Sequence, residues 1–271
     1  MRGRYQPFYL ARDYEREVVA KGKCLLDGPG EYKPLFRACD FPSEGFRTTA
    51  RSWKNKGLVE LMSEIEYAAF LYYEYDPVVE RIAEQCALDP AETLKIAHDL
   101  GIKHPAVAEG PIVMSTDLVL DQRKVDVRSR RAISVKREAD LNERVMEKAA
   151  IEQKCWKQHS TPWSMLLDTQ LPSVLVANVR LVHPRHDEGQ LPCDKATVSL
   201  VGRWLSPHIE AGRLPLATLS RRCDQAGLFP DGTALAVALH LIAHRYWPVD
   251  LRQPVAGHLV LPLLAEYLGQ N

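Results

Sequence analysis

Two β-rich stretches joined by a short polar, basic connection constrain this chain most. PIVMSTDLVLD, residues 111–121, and RRAISVK, residues 130–136, are dense in β-branched and apolar side chains, and the residues between them suit a hairpin. Helical patterns bracket the pair. Upstream, Leu58, Leu61, Met62, Ile65, Ala69 and Tyr72 recur at helical spacing, which predicts a helix over 58–72. VVERI at 78–82 reads as a short strand. Asp89-Pro90-Ala91-Glu92 combines an N-cap, a proline at the first helical position and an acid at the third, so a helix starts there and runs to about Leu100, where Gly101 stops it. Downstream, LNERVMEKAAIEQKCWKQ at 141–158 sets Val145, Ala149, Ile151, Cys155 and Trp156 toward one side, and PWSMLLD at 162–168 is a third strand candidate. Helix, strand, strand, helix, strand predicts a mixed α/β domain ending near residue 171.

The rest of the chain is of different character. Residues 1–30 have mixed periodicity and end in the turn-rich DGPGEY, which suggests an N-terminal arm before a domain over 31–171. Residues 172–212 carry Pro172, Pro184, Pro192 and Pro207 and mostly short apolar runs. Residues 215–247 read as two helices around the turn at 227–232, and HLVLPLL at 258–264 reads as a β-rich tail. Two helices and a ribbon suit a mainly helical, winged-helix-like domain over 172–271. Its second helix, TALAVALHLIAHRYW, lacks a row of Arg, Asn or Gln for base edges, so partner docking suits this domain better than DNA reading. No apolar run approaches the ~18–20 residues of a membrane span, and the first residues lack a signal-peptide core. Cysteines 24, 39, 86, 155, 193 and 223 form no CxxC pair and read as reduced thiols, so a cytoplasmic, membrane-free location is expected.

Charge matters in pieces. Thirty-five Lys and Arg balance thirty-five Asp and Glu, which excludes a uniformly basic coat. Residues 1–57 nevertheless hold twelve basic and seven acidic residues, 58–110 three and eleven, and 121–137 seven and two. A basic arm, an acidic middle and a basic hairpin cancel one another only in the sum.

Three residues of the first domain suit one chemistry. Glu66 interrupts an amphipathic helix, Asp117 sits in mid-strand where a charge is costly without a partner, and Lys136 ends the following strand. Paired by a hairpin, Asp117 and Lys136 with Glu66 would suit metal-assisted phosphodiester hydrolysis, with Mg²⁺ on hard carboxylate oxygens. A strand Asp beside a Lys is also an ordinary ion pair, and spacing leaves both readings open.

Between Lys33 and Thr169 the words around these residues carry more. FPSEGFRTTARSWKNKGLVELMSEIEYAAFLYYEYDP, GIKHP, VMSTDLVLD, AISVKREA and NERVMEKAAIEQKCWKQHSTPW resemble, in order and nearly in spacing, the TnsA-type endonuclease subunits of heteromeric cut-and-paste transposases. The resemblance implies a restriction-endonuclease-like mixed-sheet domain with Glu66 as the helix-borne acid, Asp117 as the metal-binding aspartate and Lys136 as the catalytic lysine. The position two before the lysine is commonly Gln in the family's best-known member and is Ser134 here, a shorter side chain that would bind metal only through water, while Val135 could still offer its carbonyl, as the intervening residue does in such sites. The resemblance further implies Mg²⁺, with Mn²⁺ as a substitute, and cutting of the 5′, non-transferred strand at transposon ends. The implied partners are transposon-end DNA, an integrase-type, TnsB-like transposase and an AAA+, TnsC-like ATPase. A nuclease-fold adaptor without activity and a stand-alone restriction-like nuclease are the alternatives.

The basic residues Arg47, Arg51, Lys54 and Lys56 before the Glu66 helix, Lys103 in GIKHP, and Arg130 and Arg131 in the hairpin are candidate DNA contacts. His240 and His244, four apart on one helix, read as partly buried helix histidines. His183, His186, Asp187 and Cys193 lack the tight pairing of structural zinc sites. Trp53, Trp156 and Trp163 read as packing residues.

Overall fold

Alternation of apolar side chains draws four strands of the first domain into one mixed sheet. The computed structural model describes residues 9–23, 26, 32–37, 47–55 and 57–264, so Lys56, Cys24, Cys39 and much of the expected arm lie outside the described residues. The chain divides into two compact units, Met1–Leu171 and Pro172–Asn271.

The first unit begins with residues 9–23, which do not stand off as an arm. Tyr9 accepts a backbone hydrogen bond from Val113, and Val18 is fully buried with Leu35, Ala87 and Val113. A small antiparallel hairpin follows, β1 (Thr48–Arg51) with β2 (Leu58–Leu61). Then come α1 (Glu64–Tyr75), β3 (Val79–Ala87) and α2 (Pro90–Asp99). The short pair β4 (Ala106–Val107) and β5 (Gly110–Pro111) precedes the long hairpin β6 (Ser115–Lys124) and β7 (Val127–Lys136). The unit closes with α3 (Glu143–Gln158) and β8 (Trp163–Leu167).

The main sheet runs β3-β6-β7-β8. Its first three strands pair antiparallel, whereas β8 pairs parallel to β7, as the α3 crossover requires. Ile151, Cys155 and Trp156 of α3 and Ile96 and Ala97 of α2 cover one face, against Ala83, Val119 and Ala132. Helix α1 packs on β3 and β7 and buries Ala69, Phe70 and Leu71.

Two expected boundaries move. The helix predicted from Leu58 starts at Glu64, because Val59 and Leu61 alternate into the interior as a strand and Ser63 caps the helix through its side chain. The short strand at 78–82 extends to nine residues. The helix opened by Asp89 stands as expected: its carboxylate accepts from the N–H groups of Ala91 and Glu92, and Gly101 follows at φ +67°.

The second unit holds α4 (Ser173–Val182), α5 (Lys195–Glu210), α6 (Leu216–Gly227) and α7 (Thr233–Ala243). The first two fill the proline-bearing stretch that lacked a helical reading; Pro172 only precedes α4, and Pro207 lies in the last turn of α5. The expected helix pair around the turn is present, with Leu228 at φ +52° and Gly232 at φ +88°, and buried Asp224 accepts from the N–H groups of Gly232 and Ala234. Helix α7 is buried almost throughout and packs on α4, α5 and α6. The ribbon expected over 258–264 reduces, among the described residues, to one antiparallel bridge, Val249–Leu263. Pro248, Pro254 and Pro262 each remove a donor that a longer ladder needs. Asn178 fastens this tail, donating to the carbonyls of Leu251 and Gln253 and accepting from Val255. Among the described residues no helix is long and apolar enough to cross a membrane.

Candidate active site

The register of the long hairpin builds the centre of the site. Leu118 lies opposite Ile133, which brings Asp117 beside Ser134 at the end where β7 continues to Lys136. One oxygen of Asp117, Oδ2, then accepts from the Val135 N–H at 2.6 Å, the Lys136 ammonium at 2.8 Å and the Ser134 hydroxyl at 3.3 Å. Lys136 Nζ also donates to the Val135 carbonyl at 2.9 Å. An ammonium thus already bridges two hard oxygens, the carboxylate of Asp117 and the carbonyl of Val135.

Glu66 reaches this centre from α1. It is the third residue of the helix and is tied to the cap: Ser63 Oγ accepts from the Glu66 N–H, while the Glu66 carboxylate accepts from Ser63 Oγ at 2.9 Å and Met62 N at 3.0 Å. Its Oε2 also accepts from Gln85 Nε2 at 2.9 Å. Burial, then the charge of Asp117, push Glu66 up to about 7. Gln85 is buried in β3 at φ +50°, and the β3–β6 register passes from Glu84–Leu118 to Cys86–Thr116 across it. A left-handed, non-glycine residue inside a strand costs roughly 1–3 kcal/mol, and this one holds the carboxylate of the site.

A third carboxylate joins from α3. Glu152 is buried, and its Oε1 accepts from Thr116 Oγ1 at 2.7 Å and Trp163 Nε1 at 2.9 Å; Trp156 Nε1 in turn donates to Thr116 Oγ1 at 2.7 Å. Burial, then Asp117, push Glu152 up to about 7. Burial draws Lys136 down, but Asp117, Glu152 and Glu66 together hold its pKa above the ordinary lysine value. Sequence reasoning did not single out Glu152, although an acid three residues after Ala149 and four before Trp156 on the apolar side of α3 is the signal that finds it.

Three carboxylates facing one ammonium leave the centre short of positive charge, and the oxygens of Glu66, Asp117 and the Val135 carbonyl are the hard donors that Mg²⁺ or Mn²⁺ takes. Ser134 is buried and its hydroxyl is directed to Asp117.

The remaining sequence-predicted residues fall elsewhere. Lys54 turns inward, its ammonium donating to the carbonyls of Asp76 and Val79, while buried Glu74 gathers Ser52 Oγ and the N–H groups of Trp53 and Lys54. Arg51 is exposed on β1, and Arg47 lies just before it. Lys103 is exposed, whereas its neighbour His104 is buried between Thr93 Oγ1 and the Pro105 carbonyl. Arg130 pairs with Asp121 at 2.7 Å, and Arg131, the next residue and so on the other side of β7, donates to Ser164. Trp156 is buried and Trp163 partly so, both as hydrogen-bond donors to the site's second layer. In the second unit His186 stacks on His244 at 4.0 Å, and His240 and His244 engage the carbonyls of Arg185 and His186.

Residues 76–168 match the family described as TnsA-like endonuclease N terminal, which bears out the resemblance to TnsA-type endonucleases; Asp117, Ser134, Val135, Lys136 and Glu152 lie inside the match and Glu66 lies before it. Among individual proteins, the transposon Tn7 transposition protein TnsA of Escherichia coli is 34% identical over 154 residues, covering 56% of this chain and 56% of that protein. The chain spans about half the length of the curated relative it matches.

Proposed function

We propose that this chain is the endonuclease subunit of a heteromeric transposase, cutting the 5′, non-transferred strand at transposon ends with a divalent metal ion. The observation that supports this reading is the centre around Asp117: its Oδ2 is held by the ammonium that also holds the Val135 carbonyl, with buried Glu66 and Glu152 raised in pKa by burial and then by its charge. Glu66, Asp117 and the Val135 carbonyl would hold Mg²⁺, with Mn²⁺ as a substitute. When bound, the metal supplies charge stabilisation on the phosphate and a more acidic water. Lys136 stays ionised and holds a phosphate oxygen or the attacking water by charge and hydrogen bond. Asp117 fixes that ammonium, and Gln85 and Ser63 fix Glu66. Ser134 holds Asp117 rather than metal, consistent with a water in the place of a longer side chain.

In this reading the domain has the restriction-endonuclease-like fold, and the winged-helix-like unit over 172–271 docks the AAA+ ATPase. Its α7 is taken up by the core, so the contact surface falls to exposed apolar residues such as Val174, Leu181, Leu200 and Leu228. The integrase-type transposase supplies the cut and joining of the other strand. The test is strand-specific nicking of transposon-end DNA with Mg²⁺ by the reconstituted complex. Asp117→Ala and Lys136→Ala are each expected to lower nicking at least about 100-fold while the complex still assembles. Wild-type nicking by both variants would overturn the site.

A further inference from the structure

A second set of donors converges where α2 meets α3, outside the centre described above. Cys155 and His159 stand four residues apart at the C-terminal end of α3, and Glu92 is the third residue of α2. Cys155 Sγ lies 3.6 Å from Glu92 Oε2, and His159 Nε2 lies 2.8 Å from the same oxygen. The three donor atoms all fall within 4.8 Å of one another. A tetrahedral zinc ion with sulfur at ~2.3 Å and nitrogen and oxygen at ~2.0–2.1 Å separates its ligands by roughly 3.3–3.6 Å. The cysteine–glutamate edge is already that length, and the histidine–glutamate edge needs to open by about half an ångström.

We propose that Glu92, Cys155 and His159 form a zinc site that clamps α2 to α3, with its fourth position open to water. A thiolate, an imidazole and a carboxylate make a borderline-soft set that favours Zn²⁺ over the Mg²⁺ suited to the carboxylate centre. The backbone around the site is fixed without metal. Asp89 holds the first turn of α2 by accepting from the Ala91 and Glu92 N–H groups, and the His159 N–H closes the last turn of α3 on the Cys155 carbonyl. Ile96 and Ala97 of α2 pack with Ile151 and Cys155 of α3, so the donors sit on two rigid, mutually packed elements. Without metal, the Cys155 S–H is directed at Glu92. Zinc takes the place of that proton, which passes to solvent through the half-exposed His159 side. The clamp lies one turn beyond Glu152, so it also fixes the helix that delivers the third carboxylate.

Zinc titration of the full-length protein against a chromophoric chelator, together with cobalt substitution, tests this. Wild type is expected to bind one equivalent, with a sulfur-to-metal charge-transfer band for Co²⁺ that disappears in Cys155→Ser. His159→Gln and Glu92→Gln, which alter only partly exposed side chains and carry the test if Cys155→Ser fails to fold, are expected to weaken binding at least about tenfold. Asp117→Ala is expected to keep the zinc, which separates this site from the nuclease reading. Absence of a bound equivalent, unchanged affinity in both Gln variants, or loss of zinc in Asp117→Ala would each overturn the proposal.

Discussion

Glu152 shows what the site asks of a single residue. Its folded-state carboxyl keeps a proton up to about pH 7, whereas an unperturbed glutamate releases it near 4.5. Between those values the folded chain binds more protons than the unfolded chain, so stability falls as pH rises through the window and stays lower above it. At about 1.36 kcal/mol per unit, the loss is on the order of 3 kcal/mol. Glutamine in its place still accepts from Thr116 and Trp163 but cannot ionise. In chelator-treated protein, Glu152→Gln is therefore expected to raise the thermal midpoint above pH 7 and to match wild type below about pH 4.5. A variant no more stable than wild type at pH 8 would refute the charge-shortage account. Asp117 and Lys136 were legible because a charge in a strand and a lysine at the next strand's end stand out in one dimension. Glu66 was legible only as an acid in a helix; the Ser63-x-x-Glu66 spacing that marks the helix start, where Ser63 is the N-cap, went unused, and with it the true boundary. Gln85 carries no sequence signal, because its role comes from a backbone kink.

At the scale of elements, the β6–β7 hairpin corrects the charge arithmetic. Its seven basic residues between 121 and 137 are partly neutralised by acids that pairing brings alongside. Arg123 and Arg128 share Glu80 of β3 at 2.7 and 3.9 Å, and Arg130 and Arg81 share Asp121 at 2.7 and 3.4 Å. The net basic surface of the hairpin is therefore smaller than the count implies, since sequence distance hides cross-strand neighbours. The hairpin turn is also costly. Lys124 pairs with Val127, leaving Val125 and Asp126 as the loop, and Val125 is 89% exposed at φ +53°. A β-branched residue pays roughly 1–2 kcal/mol for that conformation, which Asn tolerates better. Val125→Asn is expected to add about 1 kcal/mol in urea denaturation, and a loss of stability would show that the turn is not strained. The mixed sheet itself was readable from its β-rich words, whereas α4 and α5 were not, because prolines at the ends of helices look in sequence like prolines that break them.

For the whole molecule, the division at Leu171 leaves every residue of the candidate site in one unit. Glu66, Asp117, Lys136 and Glu152 all lie in the first unit, as does the core of Val119, Ala132, Ile151 and Trp156 that supports them. The second unit has its own interior, built from residues such as Val179, Val201, Leu205, Val237 and Trp247. Its nine basic and eight acidic residues nearly cancel, while several of its large apolar side chains are exposed, Leu228 most of all. A neutral unit with exposed apolar side chains suits a protein partner better than a polyanion. On the proposed function, a chain ending at Leu171 is expected to unfold cooperatively and to bind Mg²⁺ as the full chain does, yet to lose binding to an AAA+ ATPase partner in size-exclusion chromatography. Leu228→Asp in the full chain is expected to weaken that complex without lowering the thermal midpoint, because Leu228 is 91% exposed and Asp tolerates its left-handed backbone. Retention of the ATPase by the shortened chain would move the proposed docking surface to the first unit.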